Sequence, residues 1–98
     1  MAVDKRVLRN VIERINLGDL VTRSAARVPD QLAIVDGARR LSYRDFNGWV
    51  NRTAHGLLAR GYRRGDALAL MAANCAEFLI AYFACAKLGL ICVPINLF

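Results

Sequence analysis

The chain has 98 residues, 56% of them hydrophobic and 22% charged, with a formal net charge of +6 carried mostly by arginine. That length holds one small domain or part of one, and small domains bury the smaller share of their surface, roughly 60% near 60 residues against roughly 75% near 300. So much apolar sequence in so short a chain implies a partner surface outside it, while the scatter of the basic residues argues against nucleic-acid binding. They fall between Lys5 and Arg14, at Arg39-Arg40 and at Arg63-Arg64, the pairs in separate turns rather than on one face, and there is no groove-reading motif. Cys75, Cys85 and Cys92 are odd in number and lack Cys-x-x-Cys spacing, which supports neither a disulfide framework nor a zinc site. Buried, inert thiols in a reducing compartment are expected. The N-terminus lacks the continuous apolar core of a signal peptide, so a cytoplasmic location is expected.

In chain order, residues 1–16 form a first unit. Val3, Val7, Leu8, Val11, Ile12 and Ile15 share one helical stripe, with Lys5, Arg6, Arg9 and Arg14 largely off it. Such an amphipathic helix either packs on its own domain or lies peripherally on an anionic membrane; Asp4 and Glu13 weaken the second reading. Residues 17–98 form the second unit. Its first helix starts near Asn16, with Asp19 at capping-box distance, buries Leu17, Leu20, Val21 and Val28, and stops at Pro29. LAIVD (32–36) reads as a strand, Asp36-Gly37 as a turn, and RRLSY (39–43) as the antiparallel return. Ser42 caps the next helix, with Asp45 three positions on and an apolar face of Phe46, Trp49, Val50, Ala54, Leu57 and Leu58; Gly61 closes it.

After the turn Arg63-Arg64-Gly65-Asp66 comes a buried strand, ALALMA (67–72), and then the most apolar stretch, Asn74 to Asn96. The run from Phe78 to Ala86 is cut by Lys87, Gly89 and Pro94, whereas a membrane span needs about 20 apolar residues. The stretch divides instead into a helix and a strand. The helix is capped by Asn74 and Glu77, ends at Gly89, and carries Lys87 in its last turn, where a cation suits the dipole. LICVPIN reads as a fully buried strand. Strand, helix, strand, helix, strand in this order implies an α/β domain with crossovers into a parallel sheet.

No catalytic constellation is visible. A phosphate-cradling loop lies between a strand and the next helix and needs glycines, and MAANC has none; Gly61 and Gly65 sit at the wrong helix end. His55, on the polar face of its helix, has no orienting partner. Lys87 reads more simply as a dipole partner than as an activated amine, and Trp49, Tyr62 and Tyr82 as packing residues.

The order of the small motifs carries more. Pro29-Asp30, AIVDG, LSYRDF, AHGLLARGYRRGD and ANCAEFLIAYFACAKLGLICVPIN, in that sequence over residues 17–96, resemble the N-terminal region of the adenylate-forming acyl-CoA synthetases, particularly the fatty-acid-CoA ligases. Ser42-Tyr43-Arg44-Asp45-Phe46 stands where that family has Thr-Tyr-x-Glu-Leu, keeping a cap, an acid and an apolar knob. Ala54 through Leu57 to Gly61, Gly65-Asp66, Asn74 through Glu77-Phe78, and Gly89 through Pro94 to Asn96 match the family's other helix ends and turns.

The resemblance implies a fold, the opening half of the large N-terminal domain of an adenylate-forming enzyme: a β-hairpin plus a β-α-β-α-β parallel sheet, preceded by N-terminal helices. It also implies a reaction for the full-length family, in which a fatty acid attacks the α-phosphate of ATP, with magnesium, and coenzyme A then displaces AMP. The family's phosphate loop, metal and nucleotide motif, ribose-binding Asp and catalytic Lys all match later sequence. No catalytic, cofactor-binding or metal-binding residue is therefore carried onto this chain. The leading expectation is an N-terminal portion of a fatty-acid-CoA ligase, inactive alone, whose partner is the remainder of the synthetase domain. The rival is a non-enzymatic module that pairs with a full-length synthetase or lies on a membrane surface.

Overall fold

The computed structural model describes residues 17–73 and 75–95; the amphipathic segment 1–16 and the cap expected at Asn74 lie outside them. Helix α1 (Leu17–Arg27) leads into strands β1 (Leu32–Asp36) and β2 (Arg39–Ser42), helix α2 (Tyr43–Ala59), strand β3 (Ala67–Met71), helix α3 (Ala76–Leu88) and strand β4 (Ile91–Ile95).

Local chemistry sets most of these boundaries. Ser42 has extended backbone, and its hydroxyl accepts from the Asp45 N–H at 3.1 Å, satisfying one of the orphan donors of the first turn of α2. Gly89 ends α3 in the left-handed conformation, φ +71°, with its N–H donating to the Ala86 carbonyl at 3.3 Å. The chain reverses there, and the Leu90 N–H returns to the Cys85 carbonyl at 2.9 Å.

Helix α3 is the centre of the molecule and packs against α1, α2, β1, β3 and β4. Its sequence, AEFLIAYFACAKL, is apolar nearly all round because it has neighbours nearly all round. Val21 of α1, Phe46, Val50 and Ala54 of α2, and Ala76, Ile80 and Ala84 of α3 form the core, with Val50 and Ala84 completely inaccessible. Each fully buried Val, Ile or Phe contributes about 1.5–3 kcal/mol. Phe46 meets Phe83 edge to face at 5.7 Å, and Phe83 meets Tyr82 in the same way at 5.8 Å, a geometry in which positive ring edges face negative ring faces.

The fold is α/β, with the expected antiparallel hairpin and a parallel sheet. The hairpin does not extend that sheet: β1 and β2 pair only with each other, while β3 and β4 form a separate parallel pair. The reason is where β1 packs. It lies against α2 and the start of α3, away from β3.

Burial also departs from expectation in several places. Leu17 and Leu20 are 49% and 50% exposed, because α1 turns Gly18 and Val21 toward its neighbours instead. A Cβ on Gly18 would stand 2.4 Å from Lys87 Cγ and 2.9 Å from the Lys87 backbone, so the two helices approach as closely as a missing side chain permits. Leu58, at the end of the α2 face, is exposed.

Among the described residues, the strands expected to be fully buried are covered on one face only. The register pairs Ala67 with Ile91, Ala69 with Val93 and Met71 with Ile95, and these residues make a bare apolar face on which Met71 is 61% and Ile91 57% exposed. Their alternates Leu68, Leu70 and Cys92 are half-buried. The sheet thus has the composition of a two-sided buried sheet and a helix on one side.

Candidate functional site

Two polar junctions position the elements. At the first, the α3 N-terminus is capped from a distance. Cys75 occupies the N-cap position, but its side chain makes no capping bond to the helix N–H groups, and the Asp36 carboxylate at the end of β1 accepts from the Ala76 N–H at 3.0 Å. Arg39, at the start of β2, donates to Asp36 and to both carboxylate oxygens of Glu77, the bond to Oε2 being 2.9 Å. The helix therefore starts one residue later than the capping box predicts, and Glu77 faces an arginine of the hairpin.

The electrostatics follow from that geometry. The Ala76 N–H, and then Arg39, hold Asp36 below the usual carboxylate range. Glu77 falls from its ordinary 4.5 to about 2, chiefly through its bonds to Arg39, and the two carboxylates raise the guanidinium in turn. A cleft of about 370 Å³ opens beside this junction, between Ile34, Val35 and Asp36 of β1 and Cys75, Ala76, Phe78 and Leu79 of α3.

The second junction is at the other end of α3. Lys87 Nζ donates to Asn47 Oδ1 and to Asn51 Oδ1 of α2, both at 2.6 Å. Burial beneath Gly18 lowers the pKa of this lysine, with Asp19 acting in the opposite sense. Lys87 is thus more than the dipole partner expected of it; it ties α1, α2 and α3 together. The i, i+4 asparagines at 47 and 51, on one face of a helix, were the sequence signal for this clamp. For the first junction the signal was the Asp-Gly turn followed by an arginine.

The remaining residues weighed from sequence stand apart. His55 is exposed on α2, Trp49 packs against the core, and Tyr62 is half-buried in the α2–β3 turn. All three cysteines are free. Cys85 is buried as expected, and that burial, with Cys92 as neighbour, pushes its thiol up to about 11. Cys75 and Cys92 are half-buried. Among the described residues no group of three or more His, Cys, Asp and Glu is placed to hold a metal ion, and no helix is long and apolar enough to cross a membrane.

A nucleotide phosphate has one natural candidate position on this sheet, the β3–α3 turn that leads into a helix N-terminus. The residues there do not fit it. The Ala76 N–H already binds the Asp36 carboxylate, and Glu77 adds a second negative group. Among the described residues, the features most open to a partner are instead the bare face of β3 and β4 and the outer edges of both strands, which pair with no other described strand.

The comparison with known proteins bears on what covers that face. Residues 21–97 match the family of AMP-binding enzymes, and the chain belongs to that family. The acyl-CoA ligase sidI of Aspergillus fumigatus is 38% identical over 85 residues, a match that takes in 84% of this chain and 14% of that protein. The crotonobetaine/carnitine–CoA ligase of Citrobacter koseri is 48% identical over 58 residues, 59% of this chain and 11% of the ligase. In three dimensions, a putative long-chain-fatty-acid CoA ligase of Rhodopseudomonas palustris superposes with a TM-score of 0.80 at 36% identity, over 84% of this chain and 21% of the ligase. The chain therefore spans between about a tenth and a fifth of the length of these relatives.

Proposed function

We propose that the chain is the N-terminal portion of an ATP-dependent fatty-acid-CoA ligase and that, alone, it is a scaffold without adenylating activity. One observation carries the reading. A sheet face built of Ile91, Val93, Ile95 and Met71 is bare, in a family whose sampled members extend far beyond the matched region. Apolar surface of this kind gains about 25 cal/mol per Å² when covered, and further strands and helices of the same domain are the cover that the fold calls for.

On this reading ATP, magnesium, coenzyme A and the fatty acid belong to the whole ligase, and no described side chain of this chain is assigned to any of them. The crowding of carboxylates at the α3 N-terminus supports that division of labour. The contribution of these residues is to close the core around α3 and to present β3 and β4 in register as a template for the rest of the domain.

The test is pyrophosphate release with magnesium-ATP and a long-chain fatty acid, measured on the 98-residue chain and on the same chain joined to the remaining sequence of a related ligase. Release only by the joined protein is expected. Fatty-acid-dependent release by the 98 residues alone would overturn the proposal.

A further inference from the structure

Two of the three cysteines are brought side by side where α3 gives way to β4. Gly89, left-handed at φ +71°, reverses the chain, and the Leu90 N–H closes on the Cys85 carbonyl at 2.9 Å. The strand then runs back along the helix, so that Cys85, before the glycine, faces Cys92, after it. The pleat sets the direction of the second side chain. Ile91 and Val93 are 57% and 45% exposed on the bare face, so Cys92, between them, points the other way, toward α3. Cys85 is 1% exposed and stands outside the cluster formed by Val50, Ile80 and Ala84. Its thiol lies within hydrogen-bonding reach of the Cys92 sulfur.

Access to the pair is one-sided. Cys92 is half-buried and, with Leu17, Tyr82, Ala86 and Leu90, lines a groove of about 340 Å³. A water takes about 30 Å³ of liquid volume, so a solute of a few atoms fits there. Cys85 is buried behind its neighbour. A thiol that a small oxidant can reach, backed by a second that it cannot, is the arrangement of a sensing cysteine with its resolving partner.

We propose that Cys85 and Cys92 form a redox-sensitive dithiol, which a hydroperoxide oxidises to a disulfide that staples α3 to β4. With hydrogen peroxide, the Cys92 sulfur takes one oxygen and becomes a sulfenic acid, and the first water leaves. The Cys85 sulfur then attacks the Cys92 sulfur, the S–O bond breaks, and the oxygen departs with the Cys85 proton as the second water. The two thiols give up two electrons and the peroxide is reduced by two. Closing the bond also keeps Cys92 from further, irreversible oxidation. Cys75 provides the comparison, because it lies ten positions up α3 from Cys85, about 15 Å at the helical rise. The inference concerns this chain's own thiols and does not rest on the ligase reading.

The test uses the full 98-residue chain, reduced and then treated with hydrogen peroxide. Remaining thiols are blocked with N-ethylmaleimide, and the peptides are sequenced by mass spectrometry. A link between Cys85 and Cys92 within one chain is expected, with Cys75 outside it and both thiols restored by dithiothreitol. Oxidation of Cys92 to a sulfinic acid while Cys85 remains a thiol would overturn the proposal, as would a link between two chains through Cys92.

The two cysteines are seven positions apart, so an unfolded chain can also join them, and the role of the fold needs its own measurement. The Cys75→Ser chain is equilibrated against reduced and oxidised glutathione in buffer and in concentrated urea; serine is a preferred N-cap residue and suits the start of α3. The disulfide should be favoured by at least about tenfold in the folded chain, a shift of about 30 mV in its potential. Equal constants in the two solvents would show that the fold does not bring the thiols together. Should circular dichroism show that the Cys75→Ser chain is unfolded in buffer, the parent chain gives the same comparison, with sequencing of the linked peptides to identify the pair.

Discussion

The helical side of the molecule and its parallel sheet use similar residues to opposite effect. Around α3, the side chains of Val21, Phe46, Val50, Ile80 and Ala84 come from three helices and close on one another. On the sheet, Ile91, Val93, Ile95 and Met71 are as apolar and close on nothing among the described residues. The first region is complete because the elements that cover it lie within the same short stretch of chain. The second is incomplete because a parallel sheet needs a layer on each face and, among the described residues, only α3 is supplied. Closure depends on which partners the chain brings, not on how apolar a segment is.

The sharpest way to break this contrast is at Val50, which is wholly inaccessible. Val50→Asp should cost at least about 3 kcal/mol, because a carboxylate there is desolvated without a partner. A urea midpoint unmoved by the change would show that the helical core is not closed.

Next in size is Gly18→Ala. Helix propensity favours alanine by about 1 kcal/mol, but overpacking costs about 1–3 kcal/mol, and the new Cβ would meet the Lys87 backbone as well as its side chain. A net loss of about 1 kcal/mol by urea denaturation is expected, with the α1–α3 contact opened.

The polar junction gives a smaller, pH-dependent effect. Because the folded-state pKa of Glu77 is depressed from 4.5 to about 2, its contribution is fully present above about pH 4.5 and is lost as the pH falls toward 2. Asp36 acts in the same sense. The urea midpoint should therefore decline over that window, and Glu77→Gln should flatten the decline. The pair is exposed, so the amplitude is small.

The smallest effect is expected on the bare sheet. Val93→Thr keeps a β-branched side chain on an exposed surface and should change stability by no more than about 0.5 kcal/mol, while light scattering at high concentration decreases. In the chain joined to the rest of a ligase, the same substitution should cost about 1–3 kcal/mol, since the hydroxyl would then be buried. A similar cost in both settings would mean that the face is already covered in the 98 residues.

Much of the fold was legible beforehand because its signals are local. Ser42 with Asp45, the Asp36-Gly37 turn, the 3.6-residue period of α2 and the left-handed Gly89 each act within a few residues. So did the absence of glycine in the β3–α3 turn, which argued against a phosphate cradle there. The pairings at the two junctions were not legible, although Asn47, Asn51 and the Asp36-Gly37 turn carried local hints, because they join residues far apart in sequence. Asp36 reaches Ala76 across 40 positions, and Lys87 reaches Asn47 across another 40.

Sequence by itself determined which segments are helices and strands, the cap of α2 at Ser42 and the end of α3 at Gly89, and that their order resembles an acyl-CoA synthetase. Those properties follow from backbone conformation and side-chain periodicity, which are short-range. Tertiary structure alone decided that the hairpin stands apart from the sheet, that Leu17 and Leu20 face outward while Gly18 admits Lys87, and that the described residues cover β3 and β4 on one side only. An apolar residue carries the same transfer free energy wherever it stands, so whether it is buried depends on which neighbours the fold places against it.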